Sequence, residues 1–286
     1  MKTRSWKSAT RLLGAWATVT VASAIGCSSE SDGGVDSNGD SGSGGSNSSG
    51  GTGSSTGGGS NGTPGNAPSI DGCAIFPDDN AWNQDVSGLP VPARSDAIVD
   101  SLGRDENVHP DFGTVWEGAP IGIPFVVVDG SQDDVTIDYV EYGDESDPGP
   151  FPIPLDAPIE GGPDADGDRH VIALDTESCR LYELYRGFPQ GDAWNADSGV
   201  EWDLSTNDSH PAGCTSADAA GLPIFPGLVR YEEVVEEGEI RHAIRFTVER
   251  SRRAYVAPPT HYASDDTDEN LPAMGERFRM TPDYDC

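Results

Sequence analysis

Two carboxylates, a histidine and an arginine fall among apolar residues at spacings that can support acid–base chemistry. Residues 239–249 alternate strictly. Ile240, His242, Ile244, Phe246 and Val248 share one face of an expected strand, and Arg241, Ala243, Arg245, Thr247 and Glu249 share the other. His242 thus falls on the apolar face, where an isolated histidine is usually a hydrogen-bonded core residue. Residues 180–186 alternate as well, with Leu181, Glu183 and Tyr185 on one face. A carboxyl on such a half-apolar surface must be paired or have its pKa raised, the state a general acid needs. Glu233, in the run Arg230-Tyr-Glu-Glu233, reads either as the second carboxylate of a glycosidase pair or as a bridge to Arg241 or Arg245.

Further candidates surround these. Asp218 lies in Ser216-Ala-Asp-Ala-Ala-Gly221, where a capped helical turn competes with a catalytic role. No Gly-x-Ser-x-Gly elbow surrounds Ser216, so it is not read as a nucleophile. His261, Tyr262 and Arg245 fit a different chemistry, that of a polysaccharide lyase, in which Tyr or His moves the proton and Arg neutralises a uronate. Arg230 and Tyr262 are candidate substrate contacts. Trp194 and Trp202 flank a Gly-containing loop and are read either as sugar-stacking platforms or as buried core. Asp164, Asp166 and Asp168 alternate like the opening of a calcium loop, making calcium the one candidate cofactor. Gly167 and Arg169 depart from the EF-hand pattern, however, and the alternative is a solvated acidic turn. The five histidines form no HExxH or close pair, which argues against catalytic zinc.

The elements expected to position these residues are mostly strands. Continuous or alternating apolar runs mark strands at 123–128, 135–141, 170–175, 180–186 and 200–204, and again at 227–235, 239–249, 253–257 and 276–280. The runs at 170–175 and 180–186 look paired. Residues 95–103 predict a short helix, with Ser95 as cap, Ile98, Val99 and Leu102 on one face and Gly103 as the stop. Residues 147–158 are Pro-rich and fit only an edge or a loop. With 36 Gly, 22 Pro and no long helical period, the expected fold is all-β. It is a sandwich or barrel with long Pro/Gly-rich loops and one or two short helices.

Location is written at the N-terminus. Lys2, Arg4, Lys7 and Arg11 precede an apolar run at 12–26, too short for a stop-transfer helix, and Cys27 follows small residues. Residues 1–26 read as a signal peptide whose end resembles a lipoprotein cleavage box. That resemblance implies lipidation of Cys27, and Ser28 fits outer-membrane sorting. Residues 27–68 are almost only Ser, Gly, Asn, Asp and Thr, a flexible tether reaching about 35 Å. Residues 69–286 suit a single globular domain. Beyond the signal, 13 Arg and no Lys face 49 acidic residues, a net charge of −36. Such a surface repels nucleic acid and anionic membrane, so the lipid is the expected membrane contact. Four further cysteines, Cys73, Cys179, Cys214 and Cys286, imply two disulfides with three possible pairings.

Longer motifs carry a family resemblance. Phe76-Pro-x-x-Asn-x-Trp-Asn83, Cys179-x-Leu-Tyr-Glu183, Thr215-Ser-Ala-Asp-Ala-Ala-Gly-Leu-Pro-Ile-x-Pro-Gly-Leu-Val-Arg-Tyr231 and Arg241-His-Ala-Ile-Arg-Phe-Thr247 resemble an uncharacterised family of secreted bacterial proteins. The resemblance runs from Cys73 to the end and implies a domain boundary, not an activity. Relatives carry Trp where Cys214 stands and continue beyond Cys286. This implies that Cys214 pairs with Cys286, leaving Cys73 for Cys179. The expectation is a surface lipoprotein acting on polysaccharide as a glycoside hydrolase through Glu183, Asp218 or Glu233, with His242 and Arg245 shaping its cleft. The alternative is a non-catalytic module binding glycan or calcium.

Overall fold

A computed structural model of the protein describes residues 66–106, 113 and 121–281. The signal sequence, Cys27, nearly all of the tether and Cys286 lie outside the described residues.

The strongest apolar run builds the centre. Strand β5 (Val171–Asp175) is buried along its whole length, as a strand covered on both faces must be. It pairs antiparallel with β6 (Arg180–Tyr185), which pairs antiparallel with β9 (Ser198–Asp203), while β3 (Val126–Val128) lies parallel on the other side of β5. The hairpin expected at 170–186 is therefore present. A second sheet joins β4 (Thr136–Tyr139), β8 (Ala193–Ala196) and β7 (Phe188–Gln190), with β4 parallel to β8. A two-stranded ladder of β1 (Ser69–Ile70) and β2 (Cys73–Ala74) opens the chain. Among the described residues the regular structure is mostly β-strand with short helices, and no sheet closes into a barrel.

Alternation divides the core in two. Val171, Ala173, Tyr182 and Leu184 face the second sheet, packing with Ile137, Trp194 and Ala196 and with Phe151 and Ile153 of the Pro-rich segment. That segment was read as edge or loop. It forms a bridge at Val135–Phe151 and meets β9 through Asp147, whose N–H donates to the Gly199 carbonyl, and Phe151 and Ile153 are fully buried. The opposite face of the central sheet carries Ile172, Leu174, Leu181, Val200 and Trp202. It is covered by irregular chain rather than a sheet, through Ile75, Phe76, Ile224, Phe225 and Leu228. Glu183 pairs with Ile172 and Val200 in register, so it too points to this face.

Helix α1 (Ser95–Leu102) ends at Gly103 as expected, with φ at 87°, but Arg94 rather than Ser95 occupies the cap position. The C-terminal strand expectations fail. Residues 227–235 instead bracket a 3-10 turn, Phe225–Gly227, and a π-helical turn, Glu232–Glu237, closed by Gly238 in the left-handed region. Residues 239–249 form no named strand. The segment hangs on single backbone bonds, Ala243 N–H to Trp82 C=O and Arg245 N–H to Gly227 C=O, and Ile244 is 44% exposed. Among the described residues no strand of the two sheets pairs with it, and only Thr247 takes part in a β-bridge. Residues 253–257 contribute only the Tyr255–Met274 bridge, and 276–280 form no strand. Cys73 and Cys179 are joined, tying the entry ladder to the β5–β6 turn. Cys214 is disulfide-bonded as well.

Candidate functional site

Glu183 is the most deeply placed of the expected acids. It has no exposed surface, and its carboxylate accepts the backbone N–H groups of Ile224 (2.9 Å) and Phe225 (2.8 Å) and the indole N–H of Trp202 (3.2 Å). Burial pushes its pKa up to about 7, against the pull of those donors and of the Arg245 charge. Its geometry is that of a cap. The 3-10 turn Phe225–Gly227 leaves N–H groups unpaired at its start, and Glu183 takes them.

Arg230 serves the other end of the same turn. Its guanidinium reaches the carbonyls of Phe225 and Leu228, both at 3.5 Å, lies over the Phe225 ring, and donates to Glu233 at 2.5 Å. Glu233 also meets His242 Nε2 at 3.1 Å. All three side chains are at least 95% buried. Despite burial, the His242 hydrogen bond and the Arg230 charge hold the Glu233 carboxyl below its ordinary pKa. His242 is therefore committed to Glu233 and, through Nδ1, to the Ala243 carbonyl. Glu183 and His242, expected to work together, have separate partners. Glu233 bridges to Arg230 and His242 rather than to Arg241 or Arg245, and Arg230 has no face left for a substrate.

Asp218 takes the Ala220 N–H at 2.8 Å and the Arg245 guanidinium at 2.9 Å, closing a tight turn in which Ser216 Oγ accepts the Asp218 N–H. His261 Nδ1 meets the Ala219 carbonyl of that turn at 3.1 Å. The His261 ring stacks on Tyr262, whose hydroxyl receives Arg253 at 3.1 Å. Arg245 is the one point of convergence. Its charge acts on Glu183 and also on His170, which precedes β5. Burial pushes the His170 imidazole down to about 3, and its Nδ1 has no hydrogen-bond partner. The expected acids thus stand in separate polar contacts and do not meet as an open pair.

Two further expectations are corrected. Among the described residues no three acidic, histidine or cysteine side chains can hold one metal ion, so Asp164, Asp166 and Asp168 do not converge on calcium. Arg169 turns inward between them to bond the carbonyls of Pro163, Ala165 and Gly187, at a φ of 50°. Trp194 is fully buried between the sheets, with its indole N–H on the Ile153 carbonyl, and offers no stacking face. Trp202 is 4% exposed, so it is wall rather than platform.

What opens to solvent lies beside Trp202. A shallow cleft is bordered by Trp82, Trp202, Asn80, Asn207, Asp208 and Pro258, with about 30 Å³ of free space between its walls. Three hydrogen bonds lock its polar rim. The Trp82 N–H reaches Asn80 Oδ1 (3.0 Å), Asn80 Nδ2 donates to Asn207 Oδ1 (2.9 Å), and Asn207 Nδ2 donates to Asp79 (2.8 Å). Trp82 packs on Gly227 so closely that an added Cβ would fall 2.7 Å from its ring. Behind Trp202 lies His210, its ring 4.9 Å away and its Nε2 3.4 Å from Asp147. Glu183, by holding the Trp202 N–H and the 224–225 backbone, sets one wall of this cleft. Trp82, Asn80 and Asn207 escaped attention as site residues, although Asn80 and Trp82 stand within one of the longer motifs. The two asparagines meet only because the fold brings together segments 127 residues apart.

The chain matches no family model, no curated protein and no solved structure.

Proposed function

We propose that this protein is an exported surface module, lipid-anchored at Cys27, that binds extracellular polysaccharide without cleaving it, and that its two packed sheets form a sandwich presenting the cleft. The signal-like N-terminus and the Ser/Gly tether support the location. One observation carries the function: the cleft combines an indole and fixed side-chain amides, and among the described residues Asp208 is its only bordering carboxylate. Hydrolysis of a glycoside takes two carboxyls about 5–9.5 Å apart flanking the bond. Glu183 is capped from solvent, and Glu233 and Asp218 are engaged by Arg230, His242 and Arg245. The free space suits about one or two waters, not a sugar ring. A glycan would lie across Trp82 with its hydroxyls on the amide rim, a mode that needs neither enclosure nor a second acid.

The test is affinity electrophoresis of the unlipidated mature chain through gels carrying neutral and acidic polysaccharides, with reducing ends measured in parallel. Retardation by at least one polymer is expected, weakened about tenfold in Trp82→Ala, with no release of reducing ends. Asn80→Ala serves as a second variant should Trp82→Ala fold poorly. Release of reducing ends that disappears in Glu183→Gln or Glu233→Gln would restore the hydrolase reading.

A further inference from the structure

Resting on the glycan reading of this cleft, we infer that its ligand is an uncharged glycan, and that polymers rich in uronic acid or other anionic sugars are excluded. The inference comes from what borders the cleft and what lies just behind it. Its polar rim is Asn80, Asn207, Asp208 and Ser209, and among the described residues no arginine or histidine side chain borders it. The rim amides are already oriented by carboxylate chemistry. Asp79 receives Asn207 Nδ2, so a second negative charge stands directly behind the rim. The nearest imidazole, His210, is turned toward Asp147 behind Trp202. Elsewhere in the candidate region Arg230 is engaged with Glu233 and Arg245 with Asp218, while Arg277, outside the cleft lining, donates to the Ala81 carbonyl at 3.4 Å. A calcium ion could in principle bridge an acidic sugar to Asp208. Among the described residues, however, no cluster of three metal-binding side chains exists to hold one.

A uronate carboxylate brought to this rim meets Asp208 and Asp79 with no cation in the described cleft lining to compensate, in the field of a mature chain whose formal net charge is −36. Like charges at a partly desolvated contact repel strongly. A neutral pyranose presents hydroxyls to amides and an apolar C–H face to an indole, and carries no such penalty. The locked Asn80–Asn207 pair is prearranged for that role, since each amide keeps a second N–H for a ligand hydroxyl.

Calorimetric titration of the full mature chain tests this, using hexasaccharides of a β-glucan, a galactan and a mannan beside hexagalacturonate and an alginate hexasaccharide, each at 20 mM and 500 mM NaCl. At least one neutral hexasaccharide is expected to bind, with a Kd that moves less than twofold between the two salts and rises about tenfold in Trp82→Ala or Asn207→Ala. The uronates are expected to bind at least tenfold more weakly at low salt and to gain affinity as salt screens the repulsion. Asp208→Asn is expected to strengthen uronate binding. A uronate that binds more tightly than every neutral ligand at low salt, and is lost in Trp82→Ala, overturns the inference while leaving the cleft as a glycan site. Failure of both ligand classes to bind, or binding indifferent to Trp82 and Asn207, overturns the glycan reading and this inference with it.

Discussion

Glu183 and His170 are buried ionisable residues on one face of the central sheet, and their pKa values move in opposite directions. Burial raises Glu183 to about 7 from an unfolded value near 4.5, so between those values the folded chain holds a proton that the unfolded chain releases. Its contribution to stability therefore grows as pH falls from about 7 to about 4.5. Burial lowers His170 to about 3 from 6.5, so over that window the unfolded chain gains a proton that the folded chain refuses. Its contribution falls with pH. The two effects partly cancel in the wild type and separate in variants. Relative to wild type, His170→Phe is expected to gain stability steadily as pH drops from 7 to 4, read from urea midpoints at each pH. Glu183→Gln should be destabilised by about 2–4 kcal/mol at neutral pH. Its amide offers a donor group where the Trp202 indole or the Ile224 backbone also donates, leaving a buried donor unmatched. An unchanged midpoint in Glu183→Gln would show that the carboxylate is not the cap described here.

At the scale of elements, the 3-10 turn Phe225–Gly227 is clamped at both ends, by Glu183 on its N–H groups and by Arg230 on its carbonyls. Arg230 leads on to Glu233 and His242, a buried hydrogen-bonded triad under the π-helical turn whose outer face leaves Tyr231, Val234 and Val235 exposed. Removing one member of the buried Arg230–Glu233 ion pair strands the other. Arg230→Met is accordingly expected to destabilise by about 3–5 kcal/mol, and the double variant Arg230→Met/Glu233→Met by less than the sum of the single changes. Urea denaturation of the three variants reads this directly, and strict additivity would deny the coupling. The same turn brings Gly227 against Trp82, so the clamp that stabilises the irregular layer also sets the wall of the cleft.

For the whole molecule, the Cys73–Cys179 bridge spans 106 residues and ties the entry ladder, which leads into the cleft segment 79–82, to the central hairpin. Cys73→Ser/Cys179→Ser is expected to lose about 2–5 kcal/mol of stability and to loosen the cleft before it unfolds the sheet, since so long a loop is restored to the denatured chain. Thermal unfolding compared with hydrogen exchange at Asn80–Asn83 measures both effects; a smaller loss, with exchange unchanged at 80–83, would place the bridge outside the site. Much of this architecture was legible in the sequence. The continuous apolar run of β5 and the alternation of β6 can be buried only in a sheet, and an even cysteine count implies bridges. The expected strand at 239–249 failed for the converse reason. Period-2 alternation describes which side chains share a face, but a continuous strand also needs a ladder of backbone hydrogen bonds along its length, and the described bonds here are isolated ones at Ala243 and Arg245. The same limit applied to the site. Residue types marked Glu183, Glu233, His242 and Asp218 as ionisable groups among apolar neighbours, and each is indeed engaged in a polar contact. Whether such a group lies open in a cleft or serves as a buried cap depends on contacts across tens of residues, such as Glu183 to Phe225 or Asn80 to Asn207. Composition and local pattern determined by themselves the strand-rich core and the charge, and raised the expectation of export. Only the tertiary structure decided that the acids hold the fold while a half-buried indole and two amides border a shallow cleft, because burial and partnership belong to the packed chain and not to any stretch of it.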